Sequence, residues 1–166
     1  MTPPFIKTLL PLLTLAMATQ VYADTKAAPT CALYTMDNKQ SINLQDYQGK
    51  VVYLDFWASW CGPCLESFPF MNKLHSDLNA QGLEVVAVNL DEDKADGQAF
   101  LAKHQAKFTV IADADQQCAK QFALKAMPST YLIDRKGNIR ATHLGFRPGE
   151  AEEFRKTLES LLQEAP

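Results

Sequence analysis

Apolar and polar positions along this chain follow two different periods. Val51-Val52-Tyr53-Leu54-Asp55-Phe56 and Leu83–Leu90 are near-continuous apolar runs, the pattern of strands buried on both faces of a parallel sheet. Gly49 opens the first of them, and a central strand is expected over Lys50–Phe56. Beyond it, Phe68, Met71, Leu74 and Leu78 recur at helical spacing up to Gly82, a suitable helix stop, and Pro69 inside that helix is expected to kink it. Asp91-Glu92-Asp93 suits the end of the second strand and the start of a helix. The pattern then predicts a helix from Asp96 to His104, a short strand around Thr109–Ala112, and a helix from Asp115 carrying Cys118 and Phe122. Two β-prone pieces, Ala32–Met36 and Ser41–Leu44, flank the hairpin-like turn Asp37-Asn38-Lys39-Gln40 near the start. Thr130–Ile133 and Ile139–Leu144 flank a second turn, and Glu150–Leu162 closes the chain as a helix with Phe154, Leu158, Leu161 and Leu162 apolar. The alternation of β and α marks one α/β domain, with no internal repeat.

Composition changes this picture mainly at the amino terminus. With 166 residues, 47% of them hydrophobic, the chain is long enough for one full core and too short for two comfortable domains. Lys7, the ten-residue apolar run Leu9–Ala18 and the small-residue pattern Val21-Tyr22-Ala23 have the layout of a cleavable signal peptide over residues 1–23. The run contains Pro11 and is shorter than the roughly 20 apolar residues that span a bilayer. The mature chain is expected to start near Asp24, with residues 24–30 a flexible leader and residues 31–166 the domain. A net charge of −3 and the lack of a basic patch give no indication of nucleic-acid binding. Export would place the four cysteines in an oxidising compartment, where disulfides persist.

The chemistry is concentrated in Trp57-Ala58-Ser59-Trp60-Cys61-Gly62-Pro63-Cys64, directly behind the central strand. A strand that runs through C-x-x-C into a helix puts the first sulfur at the helix N-terminus, where unpaired N–H groups and the dipole favour a thiolate. Cys61 is therefore read as the nucleophile. Cys64, one turn further in and more shielded, can reach the same sulfur and close a disulfide. The implied chemistry is thiol–disulfide exchange.

Asp55 through Cys64 resembles the active-site segment of thioredoxins. Further resemblance to the TlpA-like thiol-disulfide oxidoreductases of the bacterial envelope comes from Gly49-Lys50-Val51-Val52, Phe68-Pro69, Val86-Ala87-Val88-Asn89-Leu90-Asp91, Met127-Pro128-Ser129-Thr130-Tyr131-Leu132-Ile133-Asp134 and Gly145. It covers nearly everything from about Cys31 to the end. The resemblance implies a thioredoxin fold, a central mixed β-sheet flanked by helices, with an N-terminal β extension and a helix–strand insertion placed near residues 92–112. It implies that Pro128 is a cis-proline lying against the disulfide, with the Met127 backbone offered to an extended substrate chain. Asp55 matches the family's buried acid, expected to take a proton from Cys64; a strand acid satisfied by hydrogen bonds is the alternative. Two positions depart from the pattern: Ser67 stands where TlpA-like proteins often carry Glu, the nearby acid being Glu66, and Ala87 stands where thioredoxin has a lysine. Trp57 is read as core. Trp60, Gly62 and Pro63 are read with Met127 and Pro128 as the docking surface, while Glu66, His75, His104 and His143 are read as solvated or locally bonded.

A zinc site would need four ligands, and no second C-x-x-C or H-x-x-x-H accompanies this one. Copper delivery of the Sco kind uses a wider cysteine spacing, and peroxidase chemistry a lone cysteine. Cys31 and Cys118 are expected to form a structural disulfide; two free buried thiols, or a relay role for one of them, are the alternatives. The whole reads as an exported, periplasmic, monomeric oxidoreductase that needs no cofactor or metal and reduces client protein disulfides with electrons from a membrane thiol donor. Its rival is a metal-handling chaperone using the same cysteines as ligands.

Overall fold

The computed structural model describes residues 26–37 and 39–165, so the segment read as a signal peptide lies outside the described residues. Eight strands form one mixed sheet in the order β1-β8-β7-β4-β5-β6-β2-β3. They are β1 (Lys26–Ala27), β2 (Ala32–Thr35), β3 (Ser41–Asn43), β4 (Val51–Trp57), β5 (Leu83–Asn89), β6 (Thr109–Ala112), β7 (Ser129–Ile133) and β8 (Asn138–Leu144). Strands β4, β5 and β6 run parallel, with β7 antiparallel against the other side of β4. Every residue of β4 and β5 is buried, as their continuous apolar runs predict. Among the described residues the α-helices are α1 (Gly62–Leu78), α2 (Lys94–Lys103), α3 (Gln117–Gln121) and α4 (Ala151–Gln163). The architecture is the thioredoxin fold, and α2 with β6 forms the insertion at the place the sequence indicates.

Strand alternation divides the core into two layers. Val51, Tyr53 and Trp57 of β4 pack with Phe68, Met71, Leu74 and Leu78 of α1 and with Phe154, Leu158 and Leu161 of α4. Val52, Leu54 and Phe56 point the other way, into a layer with Leu33, Ile111, Tyr131 and Phe122. The first layer is covered by long amphipathic helices. Among the described residues the second is covered by the five-residue α3, the 3₁₀ turn Leu44–Tyr47 and short irregular segments, and there Cys31 and Cys118 are joined by a disulfide with Cα atoms 5.2 Å apart.

Two local outcomes differ from the sequence reading. Lys26–Ala27, assigned to a flexible leader, pairs antiparallel with Asn138–Ile139, and the Ala28 N–H donates to Gly137 O at 2.8 Å. These are main-chain contacts of an edge strand, which leave no side-chain periodicity to read. The helix carrying Cys118 starts at Gln117 rather than Asp115, because Gln116 is left-handed at φ 58° and the first helical N–H groups are taken by the Asp113 carboxylate. As the spacing predicts, helix α1 extends through Pro69, where the missing N–H deprives the Leu65 carbonyl of its usual partner. The chain leaves α1 through a short 3₁₀ turn ending at Gly82, whose φ of 99° favours glycine.

The 31–118 crosslink spans 87 residues, so chain entropy gives it an upper limit of about 4–5 kcal/mol. Non-reducing peptide mapping of the purified protein is expected to recover Cys31 and Cys118 in one linked fragment. The double variant Cys31→Ala, Cys118→Ala is expected to lower the urea midpoint while Cys61 and Cys64 still pair.

Candidate active site

The sequence places Cys61 where β4 has ended and α1 has not begun, and the backbone makes it the helix N-cap, in extended geometry at φ −87° and ψ 102°. The Cys64 N–H donates to Cys61 Sγ at 3.3 Å, so the sulfur fills the role an N-cap oxygen usually plays. Pro63, in the first turn, has no N–H to leave unpaired there. Cys61 and Cys64 are joined by a disulfide, with Cα atoms 5.3 Å apart. Cys64 is fully buried, whereas Cys61 keeps 6% of its surface. A thiolate released at Cys61 would face helix N–H groups, the environment that favours it.

A shallow groove of about 510 Å³ passes over Cys61. Trp60, Gly62 and Pro63 line one side, and Leu124, Lys125, Ala126 and Met127 the other. The Trp60 ring is 71% exposed, while Trp57 is fully buried between Phe68 and Phe100. Met127–Pro128 is a cis peptide bond, and the Pro128 carbonyl accepts from the Gly145 N–H at 2.7 Å, tying the groove wall to the end of β8. Met127 packs against both core layers.

Asp55 lies in the middle of β4, opposite Ala87 of β5 and Thr130 of β7. By alternation it points to the same side as Tyr53 and Trp57, the layer that holds Cys61 and Cys64. Thr130 Oγ1 donates to Asp55 Oδ1 at 2.8 Å and lies 3.3 Å from the Tyr53 hydroxyl, while Asp55 Oδ2 has no partner. Complete burial raises the Asp55 pKa to about 7, against the opposing effect of the Thr130 hydrogen bond. Because Ala87 supplies no cation from β5, desolvation acts on the carboxyl with little to offset it. At Ser67, in place of the family's Glu, the hydroxyl donates to the Cys64 carbonyl at 2.8 Å, and Glu66 points to solvent.

The structure thus brings Trp60, Cys61, Gly62, Pro63 and Met127 to one groove, while Cys64 and Pro128 are buried next to it and Asp55 lies in the core layer that holds the two cysteines. Cys31 and Cys118 lie in the opposite layer. Sequence reasoning missed Thr130 and the wall residues Leu124–Ala126, although their closeness to Pro128 was a usable signal. It also missed Asp91, which accepts hydrogen bonds from Ser59. Among the described residues no group of three or more His, Cys, Asp or Glu side chains is arranged to hold a metal ion, and no helix is long and apolar enough to cross a membrane.

Known proteins with these features share much of the chain. The Redoxin family model matches residues 23–161. The thiol-disulfide oxidoreductase ResA of Geobacillus thermodenitrificans is 32% identical over 134 residues, covering 81% of this chain and 75% of the relative. ResA of Bacillus subtilis is 36% identical over 112 residues, covering 68% and 62%. A solved structure from Chlorobium tepidum, described as a thiol:disulfide interchange protein DsbE, matches with a TM-score of 0.80 at 43% identity, covering 83% of this chain and 96% of that one. The exposed lipoprotein thioredoxin Etrx1 of Streptococcus pneumoniae matches at 0.69 and 29% identity, covering 80% and 100%.

The raised Asp55 pKa makes stability depend on pH with a defined sign. Between about pH 4 and 7 folded Asp55 keeps a proton that the unfolded chain has released, so stability falls as pH rises through that window and levels off above it. Asp55→Asn is expected to stabilise the oxidised protein by at most about 4 kcal/mol at pH 8 and to give no gain at pH 4. Urea unfolding across pH checks this; a gain independent of pH would contradict it.

Proposed function

The chain belongs to the Redoxin family and is a TlpA-like thiol-disulfide oxidoreductase of the thioredoxin superfamily acting on disulfide-bearing client proteins, and from that premise we propose that it is a periplasmic reductase. The observation that carries the proposal is the asymmetry of the two sulfurs: Cys61 caps the helix at the floor of an open groove, and Cys64 is sealed beneath it. An extended client segment lies between Trp60, Gly62 and Pro63 on one side and Met127 and Pro128 on the other. The Cys61 thiolate attacks one client sulfur, forming a mixed disulfide and releasing the other client sulfur as a thiolate. Cys64 then attacks Cys61 Sγ. The 61–64 bond forms, the second client thiolate leaves, and the client has gained two electrons.

Asp55 accepts the Cys64 proton during the second step. A carboxyl with a pKa near 7 can take up and return protons at neutral pH, which an exposed aspartate does poorly. A membrane thiol donor restores the dithiol. Export is supported by the signal-peptide layout of residues 1–23 and by the likeness to a thioredoxin described as an exposed lipoprotein. The protein works as a monomer, and the Cys31–Cys118 disulfide is structural, taking no part in exchange.

Cys61→Ser is expected to abolish reduction of protein disulfides. Cys64→Ser is expected to accumulate clients bound through Cys61, recoverable by non-reducing electrophoresis and mass spectrometry; trapping through residue 61 in neither strain nor extract would contradict the assignment. Alkylation of the reduced protein at graded pH should show Cys61 reacting below the ordinary thiol value of about 8.5, with Cys64 protected.

The Gly62-Pro63 dipeptide, and a buried acid that disfavours a nearby thiolate, point to a potential closer to thioredoxin's, about −270 mV, than to the roughly −120 mV of a strong oxidant. Equilibration with glutathione measures it. A value above about −180 mV would contradict a reducing role.

A further inference from the structure

Asp91 is a carboxylate with 3% of its surface exposed, and the exchange steps above make no use of it. It stands two residues beyond β5, at the entrance to the insertion. The Ser59 N–H donates to both of its oxygens, at 3.2 and 3.0 Å, and the Ser59 hydroxyl donates to Oδ1 at 2.9 Å. Asn89 Nδ2 donates to Oδ2 at 2.7 Å. Ser59 and Trp60 are the corners of a turn closed by the Cys61 N–H on the Ala58 carbonyl at 3.1 Å. Asp91 therefore holds one corner of the turn that ends in the nucleophile and holds Trp60 out toward the groove.

The other end of this arrangement is gripped by the insertion. A Cβ at Gly97 of α2 would lie 2.8–3.0 Å from three atoms of the Asn89 side chain, so a glycine is needed for the helix to pack this closely. Asn89 is fully buried, and its carbonyl accepts from the Asp113 N–H at 2.9 Å, which ties β5 to the end of β6. The Leu90 N–H donates to the Trp57 carbonyl at 2.9 Å, holding the exit of β4 beside the exit of β5. Contacts run without a gap from α2 through Asn89 and Asp91 to Ser59. If Asp91 lost its acceptors, the half-buried turn would keep only its own closing hydrogen bond, and Cys61 would no longer be held in one N-cap geometry.

We propose that the helix–strand insertion positions the nucleophile through Asn89, Asp91 and Ser59, and that Asp91 is a positioning residue for thiol exchange at Cys61. The proposal rests on Cys61 being the attacking sulfur. It gives the insertion a part in the chemistry as well as in the fold.

The test uses the full chain, reduced, with Asp91→Ala, Asp91→Asn, Ser59→Ala and the double variant Ser59→Ala, Asp91→Ala. Two quantities are read: the pH midpoint of Cys61 alkylation by iodoacetamide, and kcat and KM for reduction of insulin disulfides. Asp91→Ala is expected to lower kcat about tenfold or more with a smaller change in KM, and to move the alkylation midpoint. Asp91→Asn, which keeps one acceptor for Ser59, is expected to recover most of the rate. Ser59→Ala is expected to cost less in the Asp91→Ala background than alone, the mark of coupled residues.

An unchanged kcat and midpoint in Asp91→Ala, or fully additive effects in the double variant, would overturn the proposal. If Asp91→Ala does not fold, Ser59→Pro decides by itself: it removes both the N–H and the hydroxyl that Asp91 accepts from, at a turn corner that suits proline, and an unchanged midpoint and kcat in it would overturn the proposal equally. Alkylation reads Cys61 without any client, so a failure of the client-reductase reading leaves the midpoint shift intact and is distinguishable from a failure here.

Discussion

One capping contact governs the reactive end of the molecule: the Cys64 N–H on the Cys61 sulfur. For that contact to exist, α1 must begin within a few residues of the end of β4, and the intervening turn must be held still. It also requires β4 to be a central strand. Only a strand flanked on both sides, here by β5 and β7, delivers the chain to a point where one sulfur can be open and the next sealed. The same centrality buries Asp55 and raises its pKa. Thiol position and acid strength are therefore two results of the same strand placement.

The two disulfides belong to opposite faces of this sheet and answer different physical needs. On the face of α1 and α4, long helices bury enough apolar surface to hold themselves, and the cysteines there are free to open and close. The other face has a five-residue helix and short loops, too little regular structure to dock firmly by burial alone. A crosslink between the start of the domain and α3 compensates by restricting the unfolded chain. Both of its cysteines are buried with the sheet between them and Cys61, which keeps the two bonds apart.

What could be read from the sequence was what local pattern encodes. The buried strands β4 and β5 announced themselves as apolar runs, α1 by its Phe68-Met71-Leu74-Leu78 spacing, and the cysteine pair by its place between them. Contacts between distant segments left weaker traces. Thr130 reaches Asp55 across 75 positions because two strands are in register, and Asp91 reaches Ser59 across 32, facts that no window of sequence displays. Asp91 read simply as a polar strand end. The pairing of Lys26–Ala27 with β8 is invisible for a further reason: main-chain hydrogen bonds at an edge are indifferent to side-chain type.

On one side the sheet ends in the three-residue β3, whereas on the other the described part of β1 pairs only with Asn138 and Ile139, so no described strand covers the outer edge of Arg140–Leu144 in β8. Long open edges recruit extended polypeptide by adding it as another strand, and such pairing is hard to undo. An oxidoreductase that handles disulfide-bearing client proteins is exposed to that capture. The β3 margin is too short to hold an extended chain in this way, and in the cysteine groove most of the grip is a covalent bond that the next step of exchange removes. Release from the groove is therefore set by bond exchange, whereas a chain paired along Arg140–Leu144 would have to be peeled away.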